Sequence, residues 1–334
     1  MNTTTGPGPQ ATPSEIADIL GEHDSLLVVA HGNADGDAVG AMSAMGYLLK
    51  AMGKRFALYN ATGVPPYLEW LRLPGTVYTR LSQVPFKPEL IVVLDCGDLW
   101  RVGNELADVF ANYPSVNIDH HLGNDSFGSL GNLTVPDAAA TGQLVAVVAE
   151  AAGFPLTGGL AEGVYISLVS DTGSFSFGNT TPDVLELTAR MMRLGLDVQA
   201  LRNELDSQWT MAKARLWGRL FTQGLRLEDE GRIALCEVGP DDFAQTGAVK
   251  SDLEQFVEQM RSFVGVRVAL LVREDYPRKI KISLRSRGDD DVRQIAVPFG
   301  GGGHKNAAGA TLDMPRPEAV PKLLEMIRAS LNAE

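Results

Sequence analysis

The 334-residue chain is 45% hydrophobic and 21% charged, the mixture of a globular protein, and it is long enough for two cores. Its formal net charge of −12 argues against a protein that coats long nucleic acid by neutralising many phosphates. That charge still allows a local anion site, because carboxylates gathered around cations bind phosphate through the metals.

Residues 1–13 lack a basic start followed by an apolar core, so they read as a short disordered tail and not as a secretory signal. No apolar run approaches the roughly 18 residues needed to span a bilayer, so no membrane association is expected. Cys96 and Cys236 lie far apart in apolar runs, which suggests buried thiols in a reducing cytoplasm.

Strands and helices alternate through the first two-thirds of the chain. Strands are predicted at 26–30 (LLVVA), 56–59, 90–94 (LIVVL) and 116–118, and helices at 38–52, 140–152, 160–169 and 182–194. This alternation indicates a mainly parallel sheet with helices on both faces, an α/β catalytic domain over 14–197. Residues 198–227 read as a helical linker. A smaller α/β domain follows over 228–334, with strands at 233–238, 266–272 and 279–287. Ser251-Asp-Leu-Glu254 is predicted to cap a helix reaching Ser262, and a last helix covers 317–331.

Four polar clusters interrupt the apolar pattern. His31, Asp35 and Asp37 follow the first strand, Asp95 ends LIVVL, Asp119-His120-His121 end the strand VNI, and Asp171 follows an apolar helix. Singly, an Asp after a strand is a cap or turn residue and paired histidines are exposed loop residues. Together, three of the clusters terminate strands of one sheet, the edge at which open α/β folds bind ligands. Four carboxylates and two imidazoles suit two divalent ions, with Mn²⁺ favoured and Mg²⁺ or Co²⁺ as alternatives. Two such ions about 3.5–4 Å apart can activate a water and clamp the oxygens of a phosphoryl displacement.

In the second domain, Lys279, Lys281, Arg285 and Arg287 fall on one face of a strand and Ile280, Ile282 and Leu284 on the other. A run of glycines, Gly300 to Gly303, precedes His304 and offers exposed backbone N–H groups to a phosphate or sugar.

These motifs, in this order, resemble those of the DHH phosphoesterases. H-x-x-x-D-x-D at 31–37, Asp95, the triplet 119–121 and Asp171 match the catalytic domain, and Gly300–Gly303 with His304 matches the DHH-associated C-terminal domain. The compact length is similar to the nanoRNase/pAp-phosphatase (NrnA-like) branch. The resemblance implies that His31 and Asp35 hold one metal, that Asp37, His120 and Asp171 hold the other, and that Asp95 bridges both. His121 would donate to the scissile phosphate and Asp119 would orient a histidine. Arg101, Arg285, Ser286, Gly301, Gly302, Gly303 and His304 would grip substrate in a cleft between the domains. The implied activity is hydrolysis of short RNA or DNA oligonucleotides to mononucleotides and of pAp to AMP. The alternatives are a phosphodiesterase for cyclic di-AMP or linear pApA, and a nucleotide sensor without turnover. A homodimer is left open.

Overall fold

The computed structural model describes residues 7–207 and 209–332. They form two compact units, residues 7–207 and residues 209–332. None of the described helices is long and apolar enough to cross a membrane.

The first unit contains a parallel sheet of β1 (Ser25–Ala30), β2 (Arg55–Tyr59), β3 (Val77–Tyr78), β4 (Leu90–Leu94), β5 (Ser115–Asp119) and β6 (Gly131–Thr134). Their order across the sheet is β3-β2-β1-β4-β5-β6. The order reverses between β1 and β4, which is where doubly wound sheets open a crevice at their carboxyl ends. The helices are α1 (Pro13–Glu22), α2 (Gly36–Ala51), α3 (Asn104–Ala107), α4 (Thr141–Ala151), α5 (Gly158–Asp171), α6 (Pro182–Arg193) and α7 (Val198–Asp206).

Continuous apolar strands form because both faces are covered. Leu26, Val28 and Ala30 join the large core with α2, α4 and α5, while Leu27 and Val29 join a smaller one with Val102, Leu106 and Phe110. Helices thus cover both faces as expected, one with long helices and the other with α3 and short 3₁₀ turns. Against the sheet, α2 and α5 approach closely through two glycines. A Cβ on Gly40 would lie 2.5 Å from the Gly163 carbonyl oxygen, and one on Gly163 would lie 2.6 Å from the Gly40 carbonyl oxygen. This contact brings Asp37, at the start of α2, against Ser167 of α5.

Of the tail expected to be disordered, residues 1–6 lie outside the described residues. Residues 8–12, in contrast, are held along the sheet edge. The Gly8 N–H donates to the Ser126 carbonyl at 2.7 Å, Asn132 to Pro9 at 2.9 Å and Ala11 to Asn132 at 2.8 Å. Thr12 and Glu15 then close a capping box that starts α1.

The second unit begins with α8 (Met211–Arg219), which runs through one π turn into β7 (Leu225–Glu228). With β8 (Ile233–Val238), β9 (Val268–Tyr276), β10 (Lys279–Ser286), β11 (Gly302–His304) and β12 (Ala307–Leu312) it makes a mixed sheet ordered β11-β12-β10-β9-β8-β7. Here β8 and β9 are parallel and the other pairs antiparallel. The remaining helices are α9 (Pro240–Thr246), α10 (Phe256–Arg261), α11 (Arg293–Ala296) and α12 (Arg316–Leu331). The helix expected from Ser251 starts five residues later. Residues 250–253 form a 3₁₀ turn, closed by Asp252 accepting the Val249 N–H at 2.8 Å, and Gln255 at φ 65° breaks the chain before α10.

Candidate metal centre

The first three polar clusters project from the carboxyl ends of β1, β4 and β5, and Asp171 closes α5. Asp35 is the N-cap of α2 and accepts the N–H groups of Asp37 and Ala38. Asp95 leaves β4 at φ 55°, a left-handed conformation uncommon outside glycine, which turns its carboxylate back over the sheet edge.

Two histidines share one orientation. His31 Nδ1 lies 2.9 Å from the Gly32 carbonyl and His120 Nδ1 lies 3.1 Å from the Ala138 carbonyl. A backbone carbonyl can only accept, so Nδ1 carries the proton on both rings and Nε2 faces the carboxylates. His31 Nε2 is 3.3 Å from Asp95 and 3.9 Å from Asp35. His120 Nε2 is 3.2 Å from Asp171, 3.4 Å from Asp37 and 3.8 Å from Asp95. His121 differs: its Nδ1 is 2.7 Å from Asp119 Oδ1, and Asn124 holds the other oxygen of that carboxylate at 2.5 Å.

Potential ligand atoms of His31, Asp35 and Asp95 lie within 4.8 Å of one another, as do those of Asp37, Asp95 and His120. Asp95 belongs to both sets. Asp37 is 1% and Asp95 2% exposed. Burial, then the charges of Asp95 and Asp171, raise the Asp37 carboxyl well above the usual carboxylate range. Burial, and the charges of Asp35 and Asp95, push Asp171 up to about 6 against its hydrogen bond from His120. For His120, burial disfavours the charge, but the Asp171 hydrogen bond and the charges of Asp37, Asp95 and Asp171 win and push it up to about 10. His31 is raised too, because Asp95 outweighs burial. Asp95 is held below its ordinary value: burial alone would raise it, but His31 leads the three histidines that reverse the sign. A buried site with this much negative charge retains protons unless cations replace them, and its oxygen and imidazole donors, with no thiolate among them, suit divalent metal.

Sequence reasoning missed what holds Asp37. Its oxygens accept the Thr141 N–H at 2.8 Å, the Gly142 N–H at 3.2 Å and the Ser167 hydroxyl. Thr141 Oγ1 also donates to Asp95 at 3.2 Å. The available signal was Ala140, an N-cap of α4 with no capping side chain. Asp37 supplies from α2 the anion that this helix N-terminus lacks locally.

The other expected site residues are placed by the elements that carry them. Arg101 sits on the turn after β4, where its carbonyl accepts the Gly32 N–H at 2.6 Å, tying that turn to the His31 loop. In the second unit, Lys279 and Lys281 alternate with the buried Ile280, Ile282 and Leu284. Arg285 pairs with Glu258 and donates to the Leu284 carbonyl. Ser286 has no exposed surface, and its hydroxyl donates to the Asp290 carbonyl while accepting from Asn306. Gly302, Gly303 and His304 are β11 itself, an exposed edge strand paired with β12, and Gly301 leads into it.

Two sequence models cover most of the chain: the DHH family, N-terminal domain, over residues 25–168, and the DHHA1 domain over 233–333. The bifunctional oligoribonuclease and PAP phosphatase NrnA of Thermus thermophilus is 30% identical over 319 residues, which are 95% of this chain and 94% of that protein. The chain belongs to the DHH family of phosphoesterases. The Bacillus subtilis protein of the same name is 25% identical to this DHH protein over 90% of its length and 93% of the relative. The crystal structure of an exopolyphosphatase-related protein from Bacteroides fragilis matches it with a TM-score of 0.85 at 25% identity, covering 94% of this chain and 95% of that one.

Proposed function

We propose that this metal-dependent phosphoesterase uses two Mn²⁺ ions to hydrolyse short oligonucleotides to mononucleotides and pAp to AMP. The observation that carries the reading is the position of Asp95 in two donor sets whose histidines both turn Nε2 inward. His31 and Asp35 would hold one ion, Asp37, His120 and Asp171 the other, with Asp95 between them. When bound, the ions supply Lewis acidity and a lowered water pKa for in-line attack on phosphorus.

The protein's own part is to fix and to donate. Gly32 and Ala138 carbonyls set the tautomers of His31 and His120. Thr141, Gly142 and Ser167 fix the Asp37 carboxylate. Asp119 orients His121, whose Nε2 donates to an oxygen of the scissile phosphate and stabilises charge developing there. Gly302, His304 and Arg101 hold the parts of the nucleotide that do not react. The buried thiols Cys96 and Cys236 fit a reducing cytoplasm.

The experiment is a comparison of kcat/KM on pAp, a 5-mer RNA, pApA and cyclic di-AMP with Mn²⁺. Preference for the first two supports the reading, and preference for cyclic di-AMP or pApA replaces it with a dinucleotide phosphodiesterase. Tight binding with no turnover of any of the four, with Mn²⁺, Mg²⁺ or Co²⁺, would make the protein a sensor.

A further inference from the structure

Trp100 stands out on the loop that leaves β4. It is 62% exposed, and among the described residues its indole makes no hydrogen bond or ring contact. A single exposed apolar side chain needs no explanation by itself. The loop beneath this one is, however, unusually fixed. Asp98 caps the turn through the Trp100 N–H at 2.9 Å and accepts the Arg101 N–H on its carbonyl at 3.1 Å. Cys96 Sγ donates to the same carbonyl, and Arg101 returns a carbonyl to the Gly32 N–H. The adjacent loop after β5 is tied to this one by the Asp125 N–H on the Gly97 carbonyl at 3.2 Å. That second loop also carries an exposed apolar side chain, Leu122, 68% exposed and next to His121. Two large apolar groups on rigid turns therefore rim the edge that carries Asp95, His120 and His121, with the cationic Arg101 beside one of them.

We infer that Trp100, with Leu122 on the neighbouring loop, is the platform on which the nucleobase of the substrate stacks while its phosphate occupies the metal centre. The inference rests on the phosphoesterase reading and deepens it by naming what reads the base. Stacking tolerates any base, since each has a π-face, and favours purines for their larger area. A fixed turn matters because the ring is then placed before the ligand arrives, so less order has to be created on binding. The position also fits a short substrate: one aromatic group at the reaction centre grips one nucleoside and needs no long basic groove, in keeping with the acidic chain.

The test is binding of AMP against ribose 5-phosphate, which carries the same phosphate without a base, measured by calorimetry on the Mn²⁺-loaded protein. Wild type should bind AMP about ten- to a hundredfold more tightly than ribose 5-phosphate. Trp100→Ala should erase most of that difference, Trp100→Phe should retain most of it, and Leu122→Ala should weaken it by less. AMP should quench tryptophan emission in wild type and much less in Trp100→Phe. On pAp, the loss in Trp100→Ala should appear in KM and leave kcat nearly unchanged. An undiminished preference for AMP in Trp100→Ala, or undiminished quenching in Trp100→Phe, overturns the inference. Failure of wild type to hydrolyse any nucleotide would overturn the activity reading instead, and the binding comparison would still decide the role of Trp100.

Discussion

His120 and His121 are neighbours in the chain but rest Nδ1 on different acceptors, a backbone carbonyl for the first and a carboxylate for the second. His120 spends Nδ1 on the Ala138 carbonyl at 3.1 Å and places Nε2 3.2 Å from Asp171, whereas His121 spends Nδ1 on the Asp119 carboxylate at 2.7 Å. Either acceptor can orient a ligand; what marks His120 as one is that its Nε2 faces three carboxylates, Asp171, Asp37 and Asp95. His120→Ala should therefore weaken Mn²⁺ binding at least about tenfold, read by calorimetric titration. His121→Ala should lower kcat by about 10²–10³-fold with metal affinity nearly intact. The opposite pattern would exchange the two roles.

Asp95→Asn keeps the size of the side chain and removes the one charge common to both donor sets. Activity with Mn²⁺ should fall by several orders of magnitude, since both ions lose a ligand at once. The fold should persist, because asparagine tolerates the left-handed backbone at this position about as well as aspartate. A variant retaining more than about a tenth of wild-type kcat would remove Asp95 from the bridging position.

A pH dependence follows from the raised groups. Asp171 moves from 3.8 to about 6 and His120 from 6.5 to about 10, and Asp37 also moves up. A group whose folded pKa is raised binds its proton more tightly when folded. Its contribution to stability is complete below the unfolded pKa and is lost as pH rises through the folded one. For Asp171 that window lies between 3.8 and about 6, and for His120 between 6.5 and about 10. Protein held in a chelator should therefore lose Tm as pH rises from about 6 to about 9, while saturating Mn²⁺ should flatten the decline by taking over the charge. A chelated protein whose Tm rises across this range contradicts the electrostatics described above.

The parts of this architecture visible in sequence are those in which a local pattern and its cause coincide. LLVVA and LIVVL read as strands because both of their faces are covered, and His31 and Asp95 stand out because each interrupts such a run at its end. What supports them was hidden. Thr141 opens a helix and Ser167 sits inside one, so each passes for an ordinary residue until Asp37, more than a hundred residues from Thr141, arrives against both. The Thr12–Glu15 box was legible in principle, but its capping Thr12 lay within a stretch whose composition suggests disorder. Ser286 continues the inward alternation of Ile280, Ile282 and Leu284, so the strand period itself placed that hydroxyl inside. That the glycine run forms a strand was hidden as well, because nothing local reveals that β12 passes close against it.

The last prediction separates scaffold from ligand contact within that run. A Cβ on Gly301 would lie 2.2 Å from the Gly309 carbonyl oxygen. Gly303 has φ 133°, and a Cβ there would lie 2.3 Å from the Ala307 carbonyl oxygen. Both glycines are therefore required by the β11–β12 pairing, whatever the strand binds. Gly302 has neither restraint: its φ is ordinary for any residue and nothing lies within 4 Å of its missing Cβ. If the edge strand meets the nucleotide by close approach of its backbone, a methyl group at Gly302 keeps the ligand away without disturbing the sheet. Gly302→Ala should keep the wild-type Tm within about 2 °C, a shift below that of a ΔΔG of about 1 kcal/mol in a domain of this size. Its kcat/KM on pAp should nevertheless fall about tenfold or more, the loss of roughly one charge-assisted hydrogen bond. Hydrolysis of bis-p-nitrophenyl phosphate, which has no second phosphate to hold, should fall far less. Gly301→Ala should lower Tm and depress both activities together. If Gly302→Ala folds normally and turns over pAp at the wild-type rate, β11 closes the sheet edge and takes no part in holding the nucleotide.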